Sequence, residues 1–460
     1  MNRLDIAARL VERARKLGAD EAEAFVMESM QTEIEIRNGR PESVSSSTNA
    51  GYGIRVLKES KMGFASCNNL DLREADEVLA RLVTRTQKHT PDDDNVLPDP
   101  FPGAGDGRDL ERFDRSLSTI PVEKKIEKAI AIGTAARNAD ARVMQTPWLQ
   151  YGDSVRQFAI ISSRGISGQA ERSETFGFTL ALASEPSDAD QDGGEGVQTG
   201  MGVGVTIFFD ELNPEIIGRK AAVYATRMLG AVTGKTADLT GVFPPETGHN
   251  FIHLIAEMVN ADLVQKKKSL FTGRLGETVA SPLVTIIDDG RLPGGLATMA
   301  VDAEGVPTTT KDIISAGRLA TFLYDSYTAH RGGTVSTGNA FRRSFDSKPS
   351  IMPANFYLKA GQLSRETLLA PVKSGLFVTE VSALHASVDK VTGDFSIPAK
   401  GILIRNGELT TPISGITISG NIFEFLKGID AIADDFTWEP REYAIGTPTF
   451  RVDRIKVSGA

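Results

Sequence analysis

A single cysteine, Cys67, in 460 residues excludes an internal disulfide framework and any cysteine-rich metal site, and it agrees with a reducing compartment. Histidine is nearly as scarce, with five copies, so few segments can hold a transition metal through imidazole. No apolar run approaches a membrane span, and the N-terminus, MNRLDIAARLVERARKLG, interleaves charges with apolar residues and so lacks a secretory-signal core. The expected location is the cytoplasm, with no membrane partner. Basic charge is in deficit, 51 lysines and arginines against 60 acids for a net charge of -9, so the surface as a whole repels a phosphate backbone. Nucleic acid is not expected as a direct partner. There is no G-x-S-x-G elbow, no His-Glu dipeptide, and no histidine near Cys67 in sequence.

What the chain does have is glycine, 44 residues, in a 40% hydrophobic background, which suits a turn-rich globular protein. Its length exceeds one ordinary core, and two domains are expected, an N-terminal α+β domain over 1–230 and a C-terminal β-rich domain over 231–460. Leu4, Ile6, Ala7, Leu10, Val11 and Ala14 share one helical face, with Gly18 as the stop. EAEAFVMES, QTEIEIRNG, ESVSSSTNA, GYGIRVLKES and KMGFASC then read as five strands of an antiparallel meander, and 72–87 as a helix. A helix over 122–138, strands near 143–151, 155–163, 167–173, 175–184 and 201–209, and a helix over 214–229 repeat that pattern. Two segments, 88–107 and 185–200, read as loops, the first crowded with proline, glycine and aspartate, the second acidic and glycine-rich. The second half is strand-dominated, and a mixed or barrel-like sheet is expected.

Several stretches imitate ligand sites. In GAVTGKT, Gly230 and Gly234 enclose three residues rather than the four of a phosphate-binding loop, and the segment follows a helix. Gly200, Gly202 and Gly204 precede a strand and are expected as hairpin glycines, and Gly51 and Gly53 likewise run into a strand. Asp288, Asp289, Asp302 and Glu304 could form an oxygen-rich cation site, but their neighbouring glycines favour plain turns. Lys266, Lys267 and Lys268 suit a helix C-terminus.

The segment with most chemistry is 245–273, PETGHNFIHLIAEMVNADLVQKKKSLFTG, expected as a helix carrying His249, His253 and Glu257 at steps of four. In zinc peptidases of the H-E-x-x-H type a glutamate beside the first histidine takes a proton from the attacking water. Asn250 occupies that position, and an amide cannot serve as that base. At ~1.5 Å rise per residue, His249 and Glu257 start about 12 Å apart along the axis, so at most two of the three can share an ion. The alternative is a buried helix built on Phe251, Ile252, Leu254, Ile255 and Met258.

Longer blocks carry a family resemblance: NGRPESVSSSTNAGYGIRV, SLFTGRLGETVASPLVTIIDDGRLPGGLATMAVDAEGVPTTT, FLYDSYTAHRGGTVSTGNAFRRSF, ILIRNGELTTPISGITISGNIFE and GTPTFRVDRIKVSG. In this order they resemble the TldD/PmbA family, whose older label is modulator of DNA gyrase. The zinc-bearing branch of that family keeps an H-E-x-x-x-H helix just before the S-x-F-x-G-x-x-G-E block and a later cysteine ligand. Here His253 to Glu257 stands in that place, and no cysteine follows Cys67. DDGRLPGGLATMAVDAEG is more similar to the PmbA or TldE branch, the zinc-free subunit.

The resemblance implies a protease acting on unfolded peptides, with zinc in a TldD-like partner subunit and none in this chain. This chain would wall the chamber, either with that partner or as a homodimer. Thr337, Gly338, Asn339, Arg342 and Arg343 form a candidate peptide-facing or subunit-facing loop, with a structural turn as the alternative because T-G-N is good turn chemistry. Two alternatives stand beside the protease reading: a self-sufficient metallopeptidase using His249, His253 and Glu257, and a homomeric peptide-binding or regulatory protein.

Overall fold

The computed structural model describes residues 1–101, 110, 113–185, 196–440 and 443–459. Much of the 88–107 loop therefore lies within the described residues, whereas 102–107, and 186–195 of the acidic stretch, lie outside them.

The first 226 residues build one antiparallel sheet with helices on one face. Strands β1 (Glu21–Arg37), β2 (Arg40–Lys58), β3 (Lys61–Cys67), β4 (Val143–Ser162), β5 (Ser167–Ala183) and β6 (Gln198–Thr206) run in the order β3-β2-β1-β4-β5-β6. The five short strands expected over 21–67 are three long ones. Pairing of β1 with β2 continues unbroken through Met30 and Ala50, because only Asn38-Gly39, both at positive φ, reverses the chain there. Strands expected over 143–163 and over 167–184 merge in the same way into β4 and β5.

Helices α1 (Arg3–Lys16) and α2 (Ala75–Thr86) bury Ile6, Leu10, Val11 and Leu79 against Val26 and Ile54. Helices α3 (Val122–Ala139) and α4 (Pro214–Thr226) cover the other half of the sheet. The two helix-and-meander halves join by antiparallel pairing of β1 with β4, from Glu23–Ser162 to Ile36–Leu149. Gly200 and Gly202 are not hairpin glycines. They lie inside β6, where a Cβ would sit 2.2 Å from Ala221 O and 2.1 Å from Ile217 O, so their bare backbone lets α4 rest directly on the sheet.

Past Thr226 the strands are β7 (Val232–Thr233), β8 (Ala237–Phe243), β9 (Ile286–Asp289), β10 (Thr310–Ser315), β11 (Arg318–Leu319), β12 (Ala340–Phe341), β13 (Ser350–Ile351), β14 (Asn355–Leu358), β15 (Ser374–Val381), β16 (Asp394–Arg405), β17 (Glu408–Asn421), β18 (Ile429–Ile432), β19 (Thr437–Pro440), β20 (Ala444–Thr447) and β21 (Phe450–Ser458). One sheet runs β18-β21-β8-β15-β16-β17-β7, and the extra pairing of β21 with β17 closes five of those strands into a barrel. A second runs β11-β10-β9-β14-β20-β19, and β12 with β13 forms a two-stranded ladder.

The expected helix over 245–273 is shorter. Helix α5 (Pro245–Met258) stops at Val259, and Asn260 caps a separate short helix, α6 (Ala261–Gln265), by accepting from Asp262 N at 2.9 Å. Helix α5 contacts β8 and β15 of the barrel as well as β14, β19 and β20 of the second sheet. Phe251 anchors it, with ring centroids 4.4 Å from Phe425 and 5.2 Å from Phe243. Ile252, Leu254, Ile255 and Met258 complete the buried face, so the apolar positions are core and the polar ones are left on the remaining surface.

Candidate functional site

The polar residues of α5 open onto two different cavities. His249 and Asn250 line one of about 620 Å³, walled also by Tyr224, Arg227 and Glu439. His253 and Glu257 line another of about 440 Å³, with Asn260, Leu323, Met352 and Tyr443. His249 Nδ1 donates to Pro245 O within its own helix at 3.0 Å. His253 Nδ1 lies 2.6 Å from the Tyr443 hydroxyl, and the two rings stack. Glu257 pairs with Lys390 at 3.0 Å.

Among the described residues no group of three His, Cys, Asp or Glu side chains is placed to hold a metal ion. The donor set does not fit zinc as a peptidase uses it: His253 faces a phenol, Glu257 faces an ammonium, and no third ligand joins them among the described residues. Asn250 Nδ2 donates to Thr247 O at 3.3 Å, which fixes an amide where a base would stand. No hydrolytic step can be assigned to these side chains.

Tyr443 and Lys390 were invisible to the sequence reading. Tyr443 is 190 residues from His253, and no motif links them.

The acids expected in plain turns are the larger surprise. Glu304 is buried and meets Arg55 Nη2 at 2.8 Å, while Arg55 also binds Glu23 through Nε at 3.0 Å and Nη2 at 2.5 Å. Arg342 closes the group, bonding Glu23 and donating to Ala303 O at 3.3 Å. Glu23 and Arg55 come from β1 and β2, and Glu304 and Arg342 from the C-terminal half, so the cluster pins the two regions together. Phe345 packs beside it, against Gly51 and Gly53, where a Cβ would collide with its ring and its carbonyl.

Burial alone would push the Glu23 carboxyl up, but Arg55 and Arg342 together hold it below its ordinary value. Burial pulls Arg342 down to about 10. Asp302, buried and close to Glu304, is pushed up to about 8, against the pull of amides donated by Ala340, Glu304 and Val306. Asp288 is buried too, held by Lys311 at 2.9 Å and Asn339 at 2.8 Å, while Asp289 keeps the expected turn role by accepting from Arg291 N at 2.8 Å.

This geometry also places the loop candidates. Asn339 and Arg342 are 3% and 4% exposed, and their side chains are bonded within the two charge clusters. Thr337 bonds Asn339 and Tyr324, and Gly338 turns at φ 72 with Pro307 O where a Cβ would be. Arg343 alone of the five is exposed.

An α+β fold in which a six-stranded antiparallel sheet is pinned to a barrel-bearing half by a buried charge cluster is the class these features define. Residues 22–85, 115–229 and 236–459 match, in turn, domain 1, the central domain and the C-terminal domain of the PmbA/TldA metallopeptidases. The chain belongs to this PmbA/TldD family. It is 27% identical to the metalloprotease PmbA homologue of Haemophilus influenzae over 98% of this chain and 94% of that one. It is 26% identical to the TldD homologue of the same organism, over 89% and 86%. Among solved structures, a Thermotoga maritima protein named as a candidate modulator of a DNA gyrase superposes with TM-score 0.88 at 27% identity over 99% of both chains. TldE from Thermococcus kodakarensis superposes with TM-score 0.89 over 99% and 100%, a likeness of fold at 22% identity. None of the helices described is long and apolar enough to cross a membrane.

Proposed function

We propose that this chain is the zinc-free subunit of a TldD/TldE-type peptidase that trims or degrades unfolded peptides, its metal-bearing partner supplying the hydrolytic centre. The observation that carries this reading is the His253–Glu257 stretch of α5, where the histidine is engaged by Tyr443 and the glutamate by Lys390. Two family branches among the relatives, one PmbA and one TldD in a single organism, support a paired arrangement. The chain then contributes walls: cavities along α5 lined by mixed apolar and hydrogen-bonding side chains suit an extended peptide gripped without strict sequence choice.

The test is reconstitution. The purified chain alone is expected to give no chelator-sensitive cleavage of an unfolded peptide and no stoichiometric zinc on metal analysis. Mixed with a relative that carries H-E-x-x-x-H, it should co-purify and restore or raise cleavage. Chelator-sensitive hydrolysis by the chain alone would overturn the reading.

A further inference from the structure

Strand register lays out the sheet face that meets the C-terminal half. Glu23 stands opposite Arg55, Phe25 opposite Ile160, Met27 opposite Phe158, and Ser29 opposite Arg156. Cross-strand partners share a face, so Arg156 lies on the face of the Glu23–Arg55 seam, further along β1. On its other side Arg156 stands directly opposite Arg172 of β5. Like charges placed this way in a sheet are destabilising.

The two arginines are not equally provided for. Arg172 Nη2 donates to Glu174 at 2.6 Å. Arg156 is half-buried and makes no hydrogen bond or ion pair among the described residues. Burial and the facing Arg172 pull its pKa below the ordinary guanidinium value, with Glu174 opposing them. Asp302 shares a small cavity with Arg172, but its carboxyl is taken up by amides of Ala340, Glu304 and Val306. At the seam two carboxylates, Glu23 and Glu304, meet two guanidiniums, Arg55 and Arg342. In this second cluster a single carboxylate meets two guanidiniums. A partly desolvated guanidinium is compensated only when an acceptor reaches it, and a carboxylate matches its fork.

The second cluster is also open where the seam is closed: the Arg172 and Glu174 side chains are 21% and 32% exposed. It adjoins the α5 site, because the small cavity beside Arg172 is lined by Met352, Pro353 and Tyr443, which also line the cavity of His253.

We propose that Arg156 and Arg172 form a carboxylate site on this wall, which takes an acidic side chain or the terminal carboxylate of a bound peptide. The proposal rests on the peptide-handling role given above and deepens it by naming the substrate class, peptides that present a carboxylate.

The experiment is fluorescence anisotropy of the full chain against labelled unstructured peptides of one sequence. The first has a central glutamate and an amidated end, the second a glutamine in its place and an amidated end, and the third the glutamine and a free carboxyl terminus. One charge-assisted contact corresponds to roughly tenfold tighter binding than that of the neutral peptide. That gain is expected for the glutamate peptide, the free acid or both, and which of them gains identifies the source of the carboxylate. Arg156→Gln should bring every peptide to the neutral peptide's affinity without lowering the denaturant midpoint, because it removes one of two facing like charges. Glu174→Gln, which releases Arg172, should widen the gap. Equal binding of all the peptides, no binding to the native chain, a gap that survives Arg156→Gln or one that narrows in Glu174→Gln would overturn the proposal. These readouts involve no hydrolysis, so any of these failures leaves the subunit role to be decided separately by reconstitution.

Discussion

At the seam between the two regions, Arg55 lies between Glu23 and Glu304 with side-chain exposures of 8%, 0% and 1%. On α5, by contrast, the Glu257–Lys390 pair is 35% and 33% exposed. Both are ion pairs of ordinary length, yet water decides what each can do. The exposed pair gains little from its Coulomb term, because its members are already solvated and screened. In the seam, removing one member strands its partners in a medium that cannot solvate them. The acids that a sequence reader would offer to a metal are therefore structural at the seam, while Glu257 on α5 is held by a contact that water shares.

The sharpest way to break this comparison is Arg55→Ala. It leaves Glu23 with Arg342 alone and Glu304 without its ion pair, and the loss is expected at about 3–5 kcal/mol, the range for a broken buried pair. Denaturant unfolding measures it. A loss below about 1 kcal/mol, the exposed-pair range, would show that water reaches the seam and that the two sites do not differ in kind. The same substitution should loosen the docking of β1 and β2 on the C-terminal half, readable as faster amide exchange around Phe345.

The seam also shows where sequence reasoning stops. Helices α1 to α4 were legible because their apolar faces recur with the helical period, and the amide of Asn250 beside His249 was legible as a local fact. The barrel could be expected as a class but not drawn, since closure depends on β17 meeting β21. Strand ends at Met30 and Ala50 were misplaced because long strands keep their pairing through residues that look like breaks. Glu23 and Arg342 are 319 positions apart, and no spacing rule relates them. Asp302 and Glu304 beside Gly305 satisfied turn chemistry so well that their burial gave no separate signal.

A gentler test uses pH. Asp302, raised to about 8 by burial and by Glu304, keeps a proton in the folded chain across a range where the unfolded chain has released it. The folded state then binds more protons, so stability falls as pH rises from the ordinary carboxylate range to about 8. Asp325, raised by burial and by the same neighbour, adds a term of the same sign. Glu23 is lowered, so its contribution is lost only in acid, below that window. Melting temperatures between pH 5 and pH 8 should therefore decline, and Asp302→Asn should flatten the decline in part. That variant should also be less stable at pH 5, since an amide NH2 would face the Ala340 N–H that Asp302 now accepts. A variant with the full native slope would place the titrating proton elsewhere.

The smallest expected effect sharpens the comparison from the other side. His253→Ala removes the 2.6 Å contact with Tyr443 at a half-buried position, and a single net hydrogen bond of this kind contributes about 1 kcal/mol. Phe251 and its aromatic neighbours keep α5 in place, so the helix should persist. Tyr443→Phe tests the same bond from its buried end, and there the phenol's loss leaves the imidazole next to the cavity, where solvent can replace it. Both variants should unfold within about 1 kcal/mol of the native chain, several-fold less than Arg55→Ala. If His253→Ala instead cost as much as Arg55→Ala, or stripped a stoichiometric metal from the native chain, α5 would be a working ligand site, and the division between a structural seam and a vacated helix would fall.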